Sequence, residues 1–207
     1  INFHLLLGPA YLRFPEFIAK NKVGHLITDF SPLKVYTNRL KKVLDKTEVP
    51  ILQVDAHNIV PAWVTSEKKE FAAYTIRPKI KKLLPDYLTE IPKIKNHPIK
   101  NNNIPKEISW AKILKSMNLD ESVKPVDWIK PGEKNAKSHL NKLKSHLIDY
   151  SHQRNDPNLK KLSNISPYFH FGQISPQRVA LEIKKSKLPL EDKEAFLEEM
   201  IIRRELA

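Results

Sequence analysis

Short apolar runs alternate with amphipathic stretches along the first part of the chain. The runs are residues 3–7, 24–29 and 49–55. Between the last two, residues 33–45 repeat apolar side chains at helical spacing. Strands that alternate with helices predict a parallel α/β sheet. Asp29 and Asp55 would then lie at the carboxyl ends of strands, where open α/β sheets bind their ligands.

The second part of the chain has helical periodicity throughout. Apolar residues recur three or four apart at Ala136, Leu140, Leu143, Leu147 and Tyr150, which predicts one amphipathic helix of about five turns. A last helix is predicted from Glu191 to the end of the chain. An earlier helical stretch covers residues 67–88, and we expect Pro78 to kink or split it.

Serine–proline pairs and one glycine predict where helices start and stop in this part of the chain. Ser166-Pro167 and Ser175-Pro176 each predict an N-cap followed by proline at the first helical position. Gly172 suits the stop between the two helices.

A stretch rich in proline, asparagine and lysine separates the two parts. It runs from Ile91 to Pro125 and includes three consecutive asparagines at 101–103. Such composition is typical of a linker, with one short helix near residues 110–117. The sequence therefore predicts an α/β portion over 1–90, a linker over 91–130 and an all-helical portion over 131–207.

The composition excludes several kinds of site and favours one kind of partner. The 207 residues contain no cysteine, which excludes disulfides and zinc–cysteine clusters and fits a reducing, intracellular compartment. No run approaches the length of a membrane span, and His57 has no second histidine or cysteine at metal-ligand spacing. A formal net charge of +13 favours a polyanionic partner, with nucleic acid first and an anionic membrane surface second.

Three small groups of residues could carry chemistry. Ser163 and Ser166 bracket a predicted helix start, so they could hold a phosphate or could simply cap the helix. Glu199 and Arg203 are four apart on a predicted helix, as a solvated ion pair or as the lining of a pocket. Tyr150 ends an amphipathic helix. A tyrosine at such a position usually packs its ring in the core and keeps its hydroxyl in contact with water.

Five segments, in order along the chain, form a specific pattern. They are TDFSPL at 28–33, QVDAHNIVP at 53–61, RNDP at 154–157, SPYFHFGQIS at 166–175 and FLEEMIIRRELA at 196–207. Together they resemble class II cyclobutane pyrimidine dimer photolyases, within the photolyase/cryptochrome family. The fourth segment is similar to the family's SPYLHFGQIS, and the fifth resembles its helix near the flavin.

The resemblance implies a fold and an activity. The family has an α/β domain that can hold an antenna pigment, a deazaflavin or a folate, and a helical domain that binds FAD. Excited reduced FAD gives an electron to a cyclobutane pyrimidine dimer in DNA, a carbon–carbon lyase reaction, and the dimer is flipped out of the duplex into the pocket. We accordingly expect DNA containing pyrimidine dimers as the partner, no metal, no membrane, and a monomer in the nucleus or cytoplasm.

The resemblance also assigns site residues. Glu199 matches the acidic residue that hydrogen-bonds the dimer, Arg203 matches an arginine beside the flavin, and Tyr150 matches a tyrosine at the FAD phosphates. The segment that wraps the FAD diphosphate matches Leu162, Ser163, Asn164, Ile165 and Ser166. Leu162 stands where class I enzymes have a polar residue, which removes one phosphate donor.

Two alternatives and one expectation about length remain. A cryptochrome-type flavin photoreceptor shares the fold and the FAD but lacks repair activity, and a degenerate relative would bind DNA without a cofactor.

We expect the sequence to be a piece of a longer protein, with the start of the antenna domain and the later flavin contacts outside it. These 207 residues alone would then hold FAD weakly or not at all, and would be inactive.

Overall fold

The computed structural model describes residues 2–95, 107–117 and 119–206. Residues 96–106 of the predicted linker lie outside the described residues. The chain forms two compact units, one of Ile1–Val54 with Lys93–Trp128 and one of Asp55–Pro92 with Ile129–Ala207. The second unit takes in residues that the sequence analysis assigned to the α/β portion. The functional domain boundaries near 90 and 130 stay a prediction.

In chain order the elements are α1 (Ala10–Asn21), β1 (Leu26–Asp29), α2 (Lys34–Leu44), β2 (Ile51–Val54), α3 (Ala62–Thr65), α4 (Ala73–Tyr87), α5 (Trp110–Ser116), α6 (Glu133–His146), α7 (Tyr150–Gln153), α8 (Ser166–His170), α9 (Pro176–Lys185), α10 (Leu190–Leu197), a π-helical segment (Glu198–Arg203) and α11 (Arg204–Leu206).

The first unit contains a parallel strand pair. β1 and β2 pair in parallel with Leu26 opposite Ile51 and Asp29 opposite Val54, and α2 is the crossover helix that parallel strands require. α1 packs against α2, with Ile18 of α1 buried. The predicted parallel α/β arrangement is confirmed, and so is a short helix after residue 109.

The prediction of a strand at residues 3–7 is wrong. The segment has no regular structure, and Phe3, Leu5 and Leu7 are exposed. The Leu7 carbonyl accepts a hydrogen bond from Arg13 Nε at 2.9 Å instead of from a neighbouring strand. β1 is also less buried than its apolar sequence indicates, since Ile27 is 67% exposed. An apolar run forms a buried strand only where another element covers it.

The second unit is helical and holds a continuous apolar core. All five predicted positions, from Ala136 to Tyr150, are buried within it, so the predicted apolar face is confirmed. The single five-turn helix is wrong, because α6 ends at His146 and α7 starts at Tyr150. Asp149 between them has a positive φ of 62°, which breaks the helical path. The apolar side chains of α6 and α7 therefore pack into the same core, although the two helices are separate.

The remaining helix predictions divide between right and wrong. α4 begins at Ala73, later than predicted, and is not split at Pro78. Ser175 caps α9, since its Oγ accepts from Arg178 N at 3.2 Å. Ser166 does not cap α8: the N-cap position is Ile165, and no side chain caps this helix. Gly172 has a φ of 62° and stops α8 as predicted.

Candidate functional site

The C-terminal end of α7 and the π-helical segment bring two charged side chains together. Arg154 Nη1 donates to Glu199 Oε1 at 2.7 Å and to the Ala195 carbonyl at 3.2 Å. The Arg154 side chain is 24% exposed and that of Glu199 is 41% exposed. The pair is thus half-buried, with the carboxylate as its more accessible member.

Tyr150 lies beside this ion pair, and its side chain is buried in the core. Its ring packs edge-on against Phe196 with centroids 5.8 Å apart. Burial raises the pKa of the Tyr150 phenol, the negative charge of Glu199 raises it further, and Arg154 partly offsets both. The Tyr150 phenol is therefore neutral at ordinary pH.

Asp192 fixes the start of α7 and so the position of Tyr150 and Arg154. Its carboxylate accepts from the backbone N–H of Asp149 at 2.9 Å and of Ser151 at 2.8 Å. Asp192 is 1% exposed. Burial alone would raise the pKa of its carboxyl, but hydrogen bonds from Ser151 and Asp149, together with the charge of His152, outweigh burial, and the pKa is lowered. A buried acid thus acts as an anchor between α10 and α7.

The predicted pairing of Glu199 with Arg203 is wrong. Glu199 bonds Arg154 instead, and Arg203 is exposed. The reason is local: residues 198–203 form a π-helix, whose i→i+5 bonding changes which side chains share a face. The neighbouring Glu198 bonds both Arg77 Nε at 2.9 Å and Arg77 Nη2 at 2.7 Å. Two adjacent glutamates are therefore each held by an arginine from a different helix.

The bend at residues 162–166 forms a second group. Asn164 has a positive φ of 51°, and the Ser163 carbonyl lies 2.7 Å from His139 Nε2. Ile165 is buried, whereas Leu162, Asn164 and Ser166 are exposed. Ser166 does not serve as an N-cap, so the capping interpretation fails for this serine, and the residue is exposed. The bend is a sharp turn anchored by the buried side chain of Ile165 and by the hydrogen bond between the His139 side chain and the Ser163 carbonyl.

The described residues of this unit line two cavities, and the larger one reaches Glu198, the neighbour of Glu199. One of about 420 Å³ is lined by five leucine and isoleucine side chains and by four charged ones, Lys81, Lys184, Glu194 and Glu198. The other, of about 160 Å³, is lined in part by Asn58, Glu70 and Glu205. Whether the 162–166 bend and Glu199 face a common cavity stays a prediction.

The Asp55 carboxylate, which the sequence places at a ligand-binding edge, bonds groups of the protein itself. It accepts from the backbone N–H groups of His57, Asn58 and Ala62 and from the Asn58 amide, at 3.0 to 3.1 Å. Asp55 therefore shapes the loop after β2. Asp29, at the end of β1, is exposed.

That loop also bonds the end of the chain's last helix. Glu205 Oε1 accepts from Ile59 N at 2.8 Å. Burial raises the pKa of Glu205 to about 7, although the hydrogen bond from Ile59 and the charge of Arg204 act in the opposite direction.

Sequence reasoning missed Arg154 as the partner of Glu199 and Asp192 as the anchor. Arg154 lies four residues after Tyr150 and within the RNDP segment, which was a usable signal. Asp192 offered none, because an acid in the first turn of a helix is common on any surface helix.

The described residues offer neither a metal site nor a membrane span. In residues 2–95, 107–117 and 119–206, no three His, Asp or Glu side chains gather as they would to hold a metal ion. Within the same part of the chain, no helix has the length and apolar character needed to cross a membrane.

The fold matches that of a solved photolyase. A bacterial class III photolyase from Agrobacterium tumefaciens matches with a TM-score of 0.60 at 18% identity, over 96% of this chain and 44% of that chain. At this identity the match shows the fold alone.

Sequence comparison is more specific. The family model for DNA photolyase matches residues 1–97. A deoxyribodipyrimidine photo-lyase of Potorous tridactylus is 44% identical over the whole chain, and one of Arabidopsis thaliana is 42% identical. The chain spans 40% and 44% of the length of these two relatives. From the family match and these identities across its full length, the chain belongs to the DNA photolyase family.

Proposed function

We propose that this chain is part of a class II photolyase that repairs cyclobutane pyrimidine dimers in DNA by light-driven electron transfer from reduced FAD. The observation that carries the proposal is the identity of 42–44%, over all of this chain, to relatives named deoxyribodipyrimidine photo-lyase. The class II segments at 28–33, 53–61, 154–157, 166–175 and 196–207 support the finer assignment.

The residues of the 162–166 bend fit a diphosphate. Ser166 presents an exposed hydroxyl that no cap uses, and the positive φ of Asn164 turns the backbone sharply. Hydroxyl and backbone N–H groups are the donors that phosphates prefer at such turns. We assign Ser163, Asn164 and Ser166 to the FAD diphosphate, with buried Ile165 as the anchor and Leu162 as an apolar cover. Tyr150 and Arg203 are proposed as further contacts to the cofactor.

Glu199 suits the role of dimer acceptor. Its carboxylate is accessible, and a carboxylate accepts at two oxygens, of which Arg154 uses one. The other can accept from the N–H of a pyrimidine ring. When bound, FAD supplies the electron chemistry, and the protein orients the dimer.

The partners follow from the same proposal. The formal charge of +13 suits a DNA backbone, because lysine and arginine release counterions from phosphates on binding. An antenna pigment, deazaflavin or folate, is proposed for the α/β portion. Monomeric state and a nuclear or cytoplasmic location stay predictions.

The test uses the protein expressed from its whole coding sequence and loaded with reduced FAD. It is mixed with an oligonucleotide that carries one thymine dimer, and remaining dimers are counted after blue light and after equal time in the dark. We expect loss of dimers only in the light. A flavin-loaded protein that leaves dimers intact would favour the cryptochrome-type alternative, and a protein that binds DNA but no flavin would favour the degenerate relative.

A further inference from the structure

We propose that His139 is a positioning residue for the FAD diphosphate, which acts through the backbone of the 162–166 bend. The inference rests on the proposed function, because it concerns the same cofactor site. His139 lies on α6, outside the segment that the resemblance assigns to the diphosphate. Its role is to orient the peptide unit between Ser163 and Asn164.

A single hydrogen bond connects the His139 side chain to the bend. His139 Nε2 lies 2.7 Å from the Ser163 carbonyl oxygen. Because a carbonyl oxygen can only accept, this ring nitrogen carries the hydrogen and donates it. The Ser163 carbonyl is therefore directed toward α6.

The direction of that carbonyl sets the direction of the next backbone N–H. The Ser163 carbonyl and the Asn164 N–H belong to one trans peptide unit, which is planar, so the two groups point in opposite directions. The Asn164 N–H therefore points away from α6. No backbone carbonyl among the described residues accepts from it, and a backbone N–H is a strong donor to a charged phosphate oxygen.

The imidazole is itself held by a neighbouring ring. The rings of His139 and Tyr168 are in contact, with centroids 5.5 Å apart. Tyr168 is buried, and its hydroxyl donates to the Lys130 carbonyl at 2.9 Å. His139 therefore packs on a side chain that is fixed to the chain just before α6.

A second bond holds the bend on its other side. Lys161, directly before Leu162, donates from Nζ to the Ile148 carbonyl at 3.0 Å. The bend is thus fixed on both sides of Asn164, whose positive φ of 51° is uncommon for a residue other than glycine. Preorganisation of this kind removes the cost of ordering the donors when the ligand binds.

The competing role for His139 is support of the fold alone. The two roles differ in the ligands whose affinity they change. A residue that orients a donor to the diphosphate affects the binding of FAD but not of riboflavin, which has no phosphate. A residue that only supports the fold changes both affinities by the same factor.

The test is a fluorescence titration of the whole protein, freed of flavin, with FAD and separately with riboflavin. His139→Phe keeps a ring against Tyr168 but has no donor. Because one neutral hydrogen bond is lost, we expect the affinity for FAD to fall about fivefold and the affinity for riboflavin to stay unchanged. His139→Gln has an amide that can donate to the Ser163 carbonyl, so it should restore most of the affinity for FAD.

The control is His170→Phe, which makes the same replacement at an exposed ring on α8. This variant should bind both ligands like the wild type.

The outcomes are distinguishable. If the wild type binds no FAD, the proposed function fails and the inference fails with it. If the wild type binds FAD and His139→Phe binds it equally well, the positioning role is overturned while the proposed function stands. The role is also overturned if FAD and riboflavin lose affinity by the same factor, or if His139→Gln binds FAD no better than His139→Phe.

Discussion

Replacement of Asp192 is the sharpest test of how the site is held. Asp192→Ala removes the acceptor of two backbone N–H groups, those of Asp149 and Ser151, at a position that is 1% exposed. A hydrogen bond to a charged group contributes about 1.5 kcal/mol at the low end of its range, so the loss of two should cost about 3 kcal/mol. Asp192→Asn keeps one acceptor oxygen and should cost about half of that.

The assay is urea unfolding of the whole protein followed by circular dichroism. Asp156→Ala is the matched control, since this exposed aspartate also accepts from a backbone N–H, that of Asn158, but should change stability by less than about 0.5 kcal/mol. Hydrogen exchange of peptides that cover residues 149–153 should quicken in Asp192→Ala. Equal stability of the Asp192→Ala and Asp156→Ala variants would refute the anchor.

The pH dependence of this effect has a defined sign. The pKa of Asp192 is lower in the folded protein than its usual value of 3.8. Its contribution is therefore fully present above about pH 3.8 and is lost as the pH falls through the lowered pKa. The difference between wild type and Asp192→Asn should shrink in strong acid, as measured by urea midpoints across pH.

Three further predictions concern single side chains. Because the pKa of Glu205 is raised to about 7, wild-type stability should fall as the pH rises from about 4.5 to 7, and urea midpoints of Glu205→Gln should lack this slope. Leu147→Ala, at a fully buried position, should cost about 3 kcal/mol in the same assay. His139→Phe removes the bond to the Ser163 carbonyl and should weaken FAD binding about fivefold in a fluorescence titration, whereas His170→Phe, on an exposed ring, should not.

The sequence predicts elements whose signal is local. β1 and β2 each stand out as a short apolar run closed by an aspartate, and the buried face of α6 follows from its three- and four-residue spacing. The cap at Ser175 follows from one dipeptide. In each case the residues that decide the structure lie within a few positions of one another.

Features that depend on distant partners are not readable in this way. The break between α6 and α7 lies at Asp149, which has a positive φ. A glycine at this position would have predicted such a conformation, but an aspartate does not. Asp192, which accepts from the Asp149 N–H, lies more than forty residues away in the sequence. The run at residues 3–7 has strand character but no covering element, so its apolar side chains are exposed.

The candidate site shows the same division. The resemblance assigns Glu199, Tyr150 and the 162–166 bend to the site, which stays a prediction, and helical spacing gave Glu199 the wrong partner. The observed partner, Arg154, lies on another helix, and the π-helical segment changes the spacing on which an i,i+4 pair depends. The π-helical segment has no local sequence signal. The RNDP segment draws attention to Arg154, but nothing in the local sequence pairs it with Glu199.

The most direct test of the account is a crystal structure of the whole FAD-loaded protein with DNA that carries a thymine dimer. The account predicts a Glu199 oxygen at about 2.7–3.2 Å from a ring nitrogen of the flipped dimer, with Arg154 still bonded to the other side of that carboxylate. A dimer bound elsewhere, or Arg154 released from Glu199 and bonded to a phosphate, would contradict it.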